Sequence, residues 1–285
     1  MLTILFDGIS TGMLLFVLAV GLSVTLGLMN FVNLAHGAFA MLGGYVTVIA
    51  MQRFGVPFLA TLPLAFLIAA VVGVILERTL YVRLYGRPHL DQVLFSIGLV
   101  FMAIAAASWA MGSSPQNIRL PEELKGRFDV FGVGIGRYRL FLTVVCGVLA
   151  VALQLVLSET RFGSRLRAAV DDARVARGLG IDVQTVFALT FAVGSGLAGL
   201  GGALGAEILG LDPGFPVKYM IFFLIVVTVG GSSSIVGPFL AALMLGIADV
   251  GGKYFVPEIG SFVIYALMIA VLIVRPNGLF ARPGR

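Results

Sequence analysis

The sequence predicts an all-α polytopic membrane protein with eight or nine hydrophobic helical segments, some of them too short to cross a membrane fully. Of the 285 residues, 59% are hydrophobic and only 12% are charged, whereas roughly 25% of the residues in a soluble domain are charged. The mean hydropathy is +1.07. The apolar runs are also continuous, whereas a transmembrane β-barrel shows alternating segments of about ten residues.

Nine apolar segments follow one another along the chain. The amino-terminal stretch MLTILFDGIS has no basic region and no A-x-A site, so we interpret it as the start of the first span rather than a removable signal. The predicted segments are 8–28, 37–51, 57–76, 92–111, 140–157, 184–205, 217–230, 236–250 and 259–274. Three of them (37–51, 217–230 and 236–250) have at most 15 residues and are expected to be too short to span a bilayer core of about 30 Å at about 1.5 Å per residue.

The basic residues predict the orientation. Arginines are concentrated in the loops 77–91 and 158–182 and in the carboxy-terminal tail, and such residues favour the cytoplasmic side. We therefore expect one transmembrane domain over 1–285, with the loop 158–182 in the cytoplasm and the loop 112–139 outside. The net charge of +5 is assigned to topology and to contact with membrane lipid headgroups, not to nucleic acid.

This chain lacks the residues that several classes of enzyme require. None of the three lysines stands in a G-x-x-x-x-G-K-[ST] motif, so the chain has no phosphate-binding loop of its own. His36 and His89 are remote from each other, and Cys146 is the single cysteine. We therefore predict no catalytic residue, no metal site and no cofactor bound by this chain.

A polar break interrupts the apolar pattern at NFVNLAHGAFAMLGGYV, residues 30–46. An intramembrane histidine is a functional hypothesis, but it equally suits a structural role at a helix break. The stretch 228–250, TVGGSSSIVGPFLAALMLGIADV, has the same form, and paired interrupted segments indicate a transport site. The predicted substrate path comprises Asn30, Asn33, His36, Gly37, Gly43, Ser232 and Ser233.

The loop 158–182 is too polar to span a membrane. Residues 164–177 suit a helix with a small apolar surface, and Gly178 and Gly180 are expected to end it. One interpretation is a solvated connector on the membrane surface. The other is a docking helix that fits a groove on a cytoplasmic motor protein.

Four motifs, in order over essentially the whole chain, carry a resemblance to a known family. RAAVDDARVARGLGID resembles the cytoplasmic coupling loop of ABC-importer permeases, and in its detailed form that of the branched-chain amino acid permease group. NFVNLAHGAFAMLGGYV, GGSSSIVGPFLAALMLG and RPNGLFARPG resemble three further motifs of that group. Ala38 and the serines at 232–234 depart from its usual pattern.

The resemblance implies a multi-pass permease of the bacterial inner (plasma) membrane. Such a permease works with a second homologous permease subunit, two ATP-binding subunits that use the ATP, and an extracytoplasmic substrate-binding protein. The solutes implied are branched-chain amino acids, urea, short amides or aromatic acids. The resemblance also assigns contact with the ATPase to Arg167, Asp171, Asp172, Arg174 and Gly178. The alternative is a self-sufficient secondary transporter or channel.

Overall fold

The structure, a computed structural model, describes the chain except for Asn30, Val32, Phe131, Gly132, residues 232–234, Asn277 and residues 280–285. Its described part contains eleven α-helices: α1 (Leu2–Met29), α2 (His36–Phe54), α3 (Phe58–Thr79), α4 (His89–Met111), α5 (Arg137–Glu159), α6 (Arg161–Asp171), α7 (Ala173–Gly178), α8 (Val183–Leu209), α9 (Phe215–Gly230), α10 (Val236–Phe255) and α11 (Val263–Val274). A short antiparallel hairpin of β1 (Arg127–Val130) and β2 (Val133–Gly136) precedes α5.

Six of these helices are long and apolar enough to cross a membrane: α1, α3, α4, α5, α8 and α10. The helix α9 and the segment Gly260–Val274, which contains α11, are apolar but shorter. The nine predicted apolar segments thus correspond to α1–α5 and α8–α11. The expectation of an all-α polytopic membrane protein is confirmed.

Two helices form the centre of the bundle. Within their most hydrophobic stretches, α1 is 83% buried and α8 is 78% buried, whereas the corresponding values are 11% for α4 and 17% for α5. The helix α10 packs along α1, and both α2 and α3 pack along α8. The outer helices therefore present their apolar faces to lipid or to another subunit.

Small residues permit the closest of these contacts. A Cβ atom placed on Gly43 of α2 would collide with the backbone of Gly199 in α8. Without a hydrophobic driving force in lipid, helices associate through close van der Waals packing, which small residues make possible. The glycines of α2 and α8 therefore set the distance between these two helices.

The helix α2 begins inside the bundle rather than at its edge. His36, its first residue, lies beside Leu18 and Gly21, which are in the second half of α1. The break before α2 therefore lies within the depth of the spanning helices.

Two predicted boundaries were wrong. The segment predicted at 236–250 is a full helix to Phe255, because Lys253 pairs with Asp249 one turn earlier at 2.7 Å and lets the helix continue past the charge. The single helix predicted at 164–177 is two helices, α6 and α7, which separate at Asp172.

Candidate functional site

The histidine of the first break is buried and bonded. His36 is 2% exposed, and its Nε2–H donates a hydrogen bond of 2.8 Å to the carbonyl oxygen of Leu18 in α1. The Phe223 ring of α9 lies edge-on to the imidazole, with 6.2 Å between the ring centroids. His36 thus joins α2 to α1 and α9.

Asn33 is hydrogen-bonded to the side chain of Tyr81. Its Oδ1 accepts a hydrogen bond of 3.0 Å from the hydroxyl of Tyr81, which follows α3. Tyr81 is itself buried and packs against Phe31 and Phe191. Asn33 therefore connects the break to the segment after α3, a contact that the local sequence pattern does not reveal.

The predicted path residues that the structure describes all lie within helix packing. Gly37 approaches α9 so closely that a Cβ atom would be 3.0 Å from the Cα of Pro216, and Gly43 meets Gly199. Asn33 and His36 are also buried. Gly37 thus faces α9 and Gly43 faces α8, and contact of these four residues with solute stays a prediction. Asn30, Ser232 and Ser233 lie outside the described residues.

Gly278 and Leu279 of the carboxy-terminal motif pack on the end of α9. The backbone N–H of Leu279 donates to the carbonyl oxygen of Val229 at 2.8 Å. Gly278 has a φ of +90°, and a Cβ atom there would be 2.7 Å from the carbonyl oxygen of Thr228. These two residues thus cover the end of α9, and the glycine is required by both conformation and space.

The helices α6 and α7 of the loop 158–182 are separated by a capping aspartate. The Oδ1 atom of Asp172 accepts hydrogen bonds from the backbone N–H groups of Arg174 at 2.8 Å and Val175 at 3.0 Å. An aspartate at this position satisfies the free N–H groups of a first helical turn. Asp172, predicted as an ATPase contact, therefore has a structural role that the sequence analysis missed.

A small apolar core holds α6 and α7 against α8. It consists of Leu166, Ala169, Ala176, Val183 and Val186. Arg167, another predicted contact, donates a hydrogen bond from its guanidinium to the carbonyl oxygen of Leu157 in α5. The two short helices are thus fastened to the ends of α5 and α8 and can transmit a force to both.

The outer face of this pair of helices is charged with an apolar centre. Asp171, Arg174 and Gly178 are exposed, as a contact surface requires. Val175 and Leu179 are 57% and 75% exposed. Leu179 was missed by the sequence analysis, since it follows the glycine that was expected to end the helix.

The first turn of α8 is capped by Asp182. Its carboxylate accepts hydrogen bonds from the Thr185 hydroxyl at 2.5 Å and from the Thr185 backbone N–H at 3.1 Å. These bonds hold the pKa of Asp182 below its ordinary value. The cap is therefore present above that lowered pKa and is lost only as the pH falls through it.

Metal binding finds no support in the described part of the chain, where no group of three histidine, cysteine, aspartate or glutamate side chains lies together.

Comparisons of the sequence with known proteins identify a family and several relatives. Residues 4–272 match the family described as "Branched-chain amino acid transport system / permease component". The chain is 29% identical to the high-affinity branched-chain amino acid transport system permease protein BraD of Pseudomonas aeruginosa, over 98% of this chain and 95% of that protein. It is equally similar to LivH of Escherichia coli K12, at 29% identity over the same shares.

A second kind of permease protein in that system is also similar. LivM of Escherichia coli K12 is 26% identical over 94% of this chain and 68% of that protein. No solved structure matches the chain significantly. The family and the six spanning helices together confirm the expectation of a multi-pass protein of the inner membrane. Since the family match covers nearly its whole length, the chain belongs to the family of permease components of branched-chain amino acid transport systems.

Proposed function

We propose that this chain is the membrane-spanning permease subunit of an ABC importer for branched-chain amino acids. The observation that carries the proposal is the pair α6 and α7, a folded unit outside the spans that is fastened to α8 and presents a charged face. The chain has no nucleotide-binding motif, so the energy for transport comes from separate ATP-binding subunits. The chain itself binds no cofactor and performs no covalent chemistry.

The ATP-binding subunit contacts the exposed face of α6 and α7. Val175 and Leu179 provide apolar area at its centre, and Asp171 and Arg174 provide charges around it. Asp172 and Arg167 act from within, since they hold the two helices in place. Four of the five residues predicted for coupling thus divide into a contact group and a positioning group, and the fifth, Gly178, is exposed at the end of α7.

The helix α8 transmits the movement of α6 and α7 into the bundle. This helix starts next to α7, runs through the buried centre and packs against α1, α2 and α3. A movement of α7 therefore reaches Gly43 of α2 through its contact with the Gly199 backbone, and it reaches Gly21 of α1, which lies beside the His36 ring, through Gly194. Opening and closing of the solute path at the break is the proposed result.

The similarity to two permease proteins supports the first of the proposed partners. The chain is similar both to LivH and to LivM, two different permease proteins of one transport system. We propose a second homologous permease beside this one, two ATP-binding subunits and an extracytoplasmic substrate-binding protein. The solute is a branched-chain amino acid, with urea, a short amide or an aromatic acid as the chemically related alternatives.

Replacement of Asp171 by lysine tests the docking surface. We expect Asp171→Lys to reduce co-purification of the ATP-binding subunits at least about tenfold, because a charge reversal at a contact costs about 1.4 kcal/mol or more. Glu123→Lys makes the same charge change in the loop 112–139 and is expected to leave co-purification unchanged. Equal recovery of ATPase with both variants would refute the assigned surface.

A further inference from the structure

The short segment that follows α3 joins the start of α8 to the polar break before α2. This segment consists of the single helical turn Tyr81–Leu84 and the next residue, Tyr85. The ring of Tyr85 contacts Phe187 in the first turns of α8 and also Phe31, which lies in the break between α1 and α2. This connection is separate from the glycine contacts between α2 and α8.

Phe187 belongs to the part of α8 that holds the two cytoplasmic helices. It packs against the small apolar core that fastens α6 and α7 to α8. The ring of Tyr85 meets the Phe187 ring edge-on, with 5.7 Å between the ring centroids. Aromatic pairs prefer such arrangements at centroid separations of about 4.5–7 Å. A displacement of α6 and α7 therefore reaches Tyr85 through a single side chain.

Tyr85 is held between Phe187 and the break. Its ring also meets that of Phe31 edge-on at 5.7 Å. Phe31 is 1% exposed, and its backbone N–H donates to the carbonyl oxygen of Thr25 in α1 at 3.2 Å. The Tyr85 hydroxyl donates a hydrogen bond of 2.8 Å to Oε1 of Glu77, near the end of α3. The side chain of Tyr85 thus contacts α3, α8 and the break at once.

Two further contacts run in parallel with this one. Tyr81 donates to Oδ1 of Asn33 in the break at 3.0 Å, and its buried ring packs on Phe191 of α8 with 4.8 Å between the centroids. The guanidinium of Arg78 donates to the hydroxyl of Thr185, in the first turn of α8, at 3.3 Å. The end of α3 is therefore tied to α8 by both polar and apolar contacts.

We propose that residues 81–85 form a second coupling element, which carries movement of α6, α7 and the start of α8 to the break before α2, with Tyr85 as its positioning residue. Its part in transport rests on the proposed function, whereas the connection itself follows from the contacts of Tyr85. Coupling between sites is carried by chains of packed side chains and hydrogen bonds. Close-packed interiors also have low compressibility and transmit strain.

Hydrogen exchange of the solubilised permease alone tests the connection. The amide of Phe31 reports on the break, because it is bonded to the carbonyl of Thr25. We expect Phe187→Ala to raise the exchange rate of this amide at least about threefold, as substitutions along a coupling network do. In a Tyr85→Ala background the same substitution is expected to add less than about 1.5-fold, because the link is already lost.

Leu189→Ala is the matched control for this measurement. It shortens another apolar side chain of α8, one that is 49% exposed, and is expected to leave the Phe31 amide unchanged. The proposal is overturned if Phe187→Ala leaves the exchange rate unchanged, or if its effect is equal with and without Tyr85. Phe187 is only half-buried, so its variant tests the proposal even where Tyr85→Ala fails to fold.

The number of solute molecules taken up per ATP hydrolysed tests the role in the assembled transporter. We expect Tyr85→Ala to lower this ratio at least about threefold while recovery of the ATP-binding subunits is unchanged. Tyr85→Phe retains the ring and is expected to keep the ratio within about twofold of the wild type. Tyr254→Ala, which removes the same side chain at an exposed position of α10, is the control.

A merely structural role of Tyr85 would lower uptake and hydrolysis together, and an unchanged ratio in Tyr85→Ala would therefore refute a role in coupling. The exchange measurement contains no ATPase and no solute. If the wild-type complex shows no ATP-driven uptake, the proposed function fails, and the exchange of the Phe31 amide still decides the connection.

Discussion

A histidine within a membrane span usually signals chemistry, but His36 has the surroundings of a structural residue. It is almost fully buried, it donates to a carbonyl of α1, and an aromatic ring of α9 lies against it. A carbonyl has two lone pairs, so Leu18 accepts this bond beside that of its own helix. The imidazole thereby ties a helix that starts inside the bundle to one that crosses it.

Replacement of His36 by leucine removes this tie. We expect His36→Leu to lower the free energy of unfolding by about 0.5–2 kcal/mol, as hydrogen bonds between membrane helices contribute about 0.6 and at most roughly 1.7 kcal/mol. Denaturant titration of the solubilised protein measures the change. His89→Leu, at an exposed position, is the control. If transport is lost while the unfolding free energy is unchanged, His36 contacts the solute instead.

The capping role of Asp172 has its own test. Asp172→Ala is expected to destabilise α7 by about 1 kcal/mol, whereas Asp172→Asn retains the cap. Hydrogen exchange of the amides of Arg174 and Val175, which the carboxylate binds, measures the local opening. Asp171→Ala changes the neighbouring charge without removing a cap. Equal protection of these amides in all three variants would rule out the cap.

At the scale of helices, the sequence predicts what depends on local composition. Continuous apolar runs identified nine helices, and the glycine-rich breaks marked where α2 and α10 begin. The depth at which α2 starts was beyond prediction, because it depends on contacts of His36 with α1. The separation of α6 from α7 could have been predicted, because Asp172 is a strong capping residue in the middle of the expected helix.

The same limit applies to the candidate site: local motifs predicted its residues but not their distant partners. The motif of the break identified His36 and Asn33, but their partners Leu18 and Tyr81 are distant in sequence. Glu77 was interpreted only through its position at the end of a span. Its burial and its hydrogen bond to Tyr85 become visible only when α3 and the segment before α4 are assembled.

The packing of α2 on α8 depends on the absence of a side chain at Gly43. Gly43→Ala is expected to destabilise the protein by about 1–3 kcal/mol, because its Cβ meets the Gly199 backbone, which cannot move as a side chain does. Gly147→Ala in α5 is the matched control, since a Cβ there has nothing within 4 Å. Thermal unfolding in detergent compares the two. A smaller effect for Gly43→Ala than for Gly147→Ala would contradict the close contact.

On the scale of the whole molecule, a buried pair of helices is surrounded by exposed ones. The helices α1 and α8 are central, whereas α4 and α5 present most of their surface outward. The unit of α6 and α7 packs on the start of α8, and it is the surface proposed for contact with the ATP-binding subunit. This arrangement suits a subunit that borders a shared path and receives its movement from outside the membrane.

The most direct test of the central claim is uptake by proteoliposomes that contain the permease pair, the ATP-binding subunits and the substrate-binding protein. We expect uptake of labelled L-leucine only when ATP is supplied to the ATP-binding subunits. We expect no uptake by the permease alone under a proton or sodium gradient. Asp171→Lys should abolish the ATP-dependent uptake. Leucine uptake by the permease alone, driven by an ion gradient, would contradict the account and establish a secondary transporter.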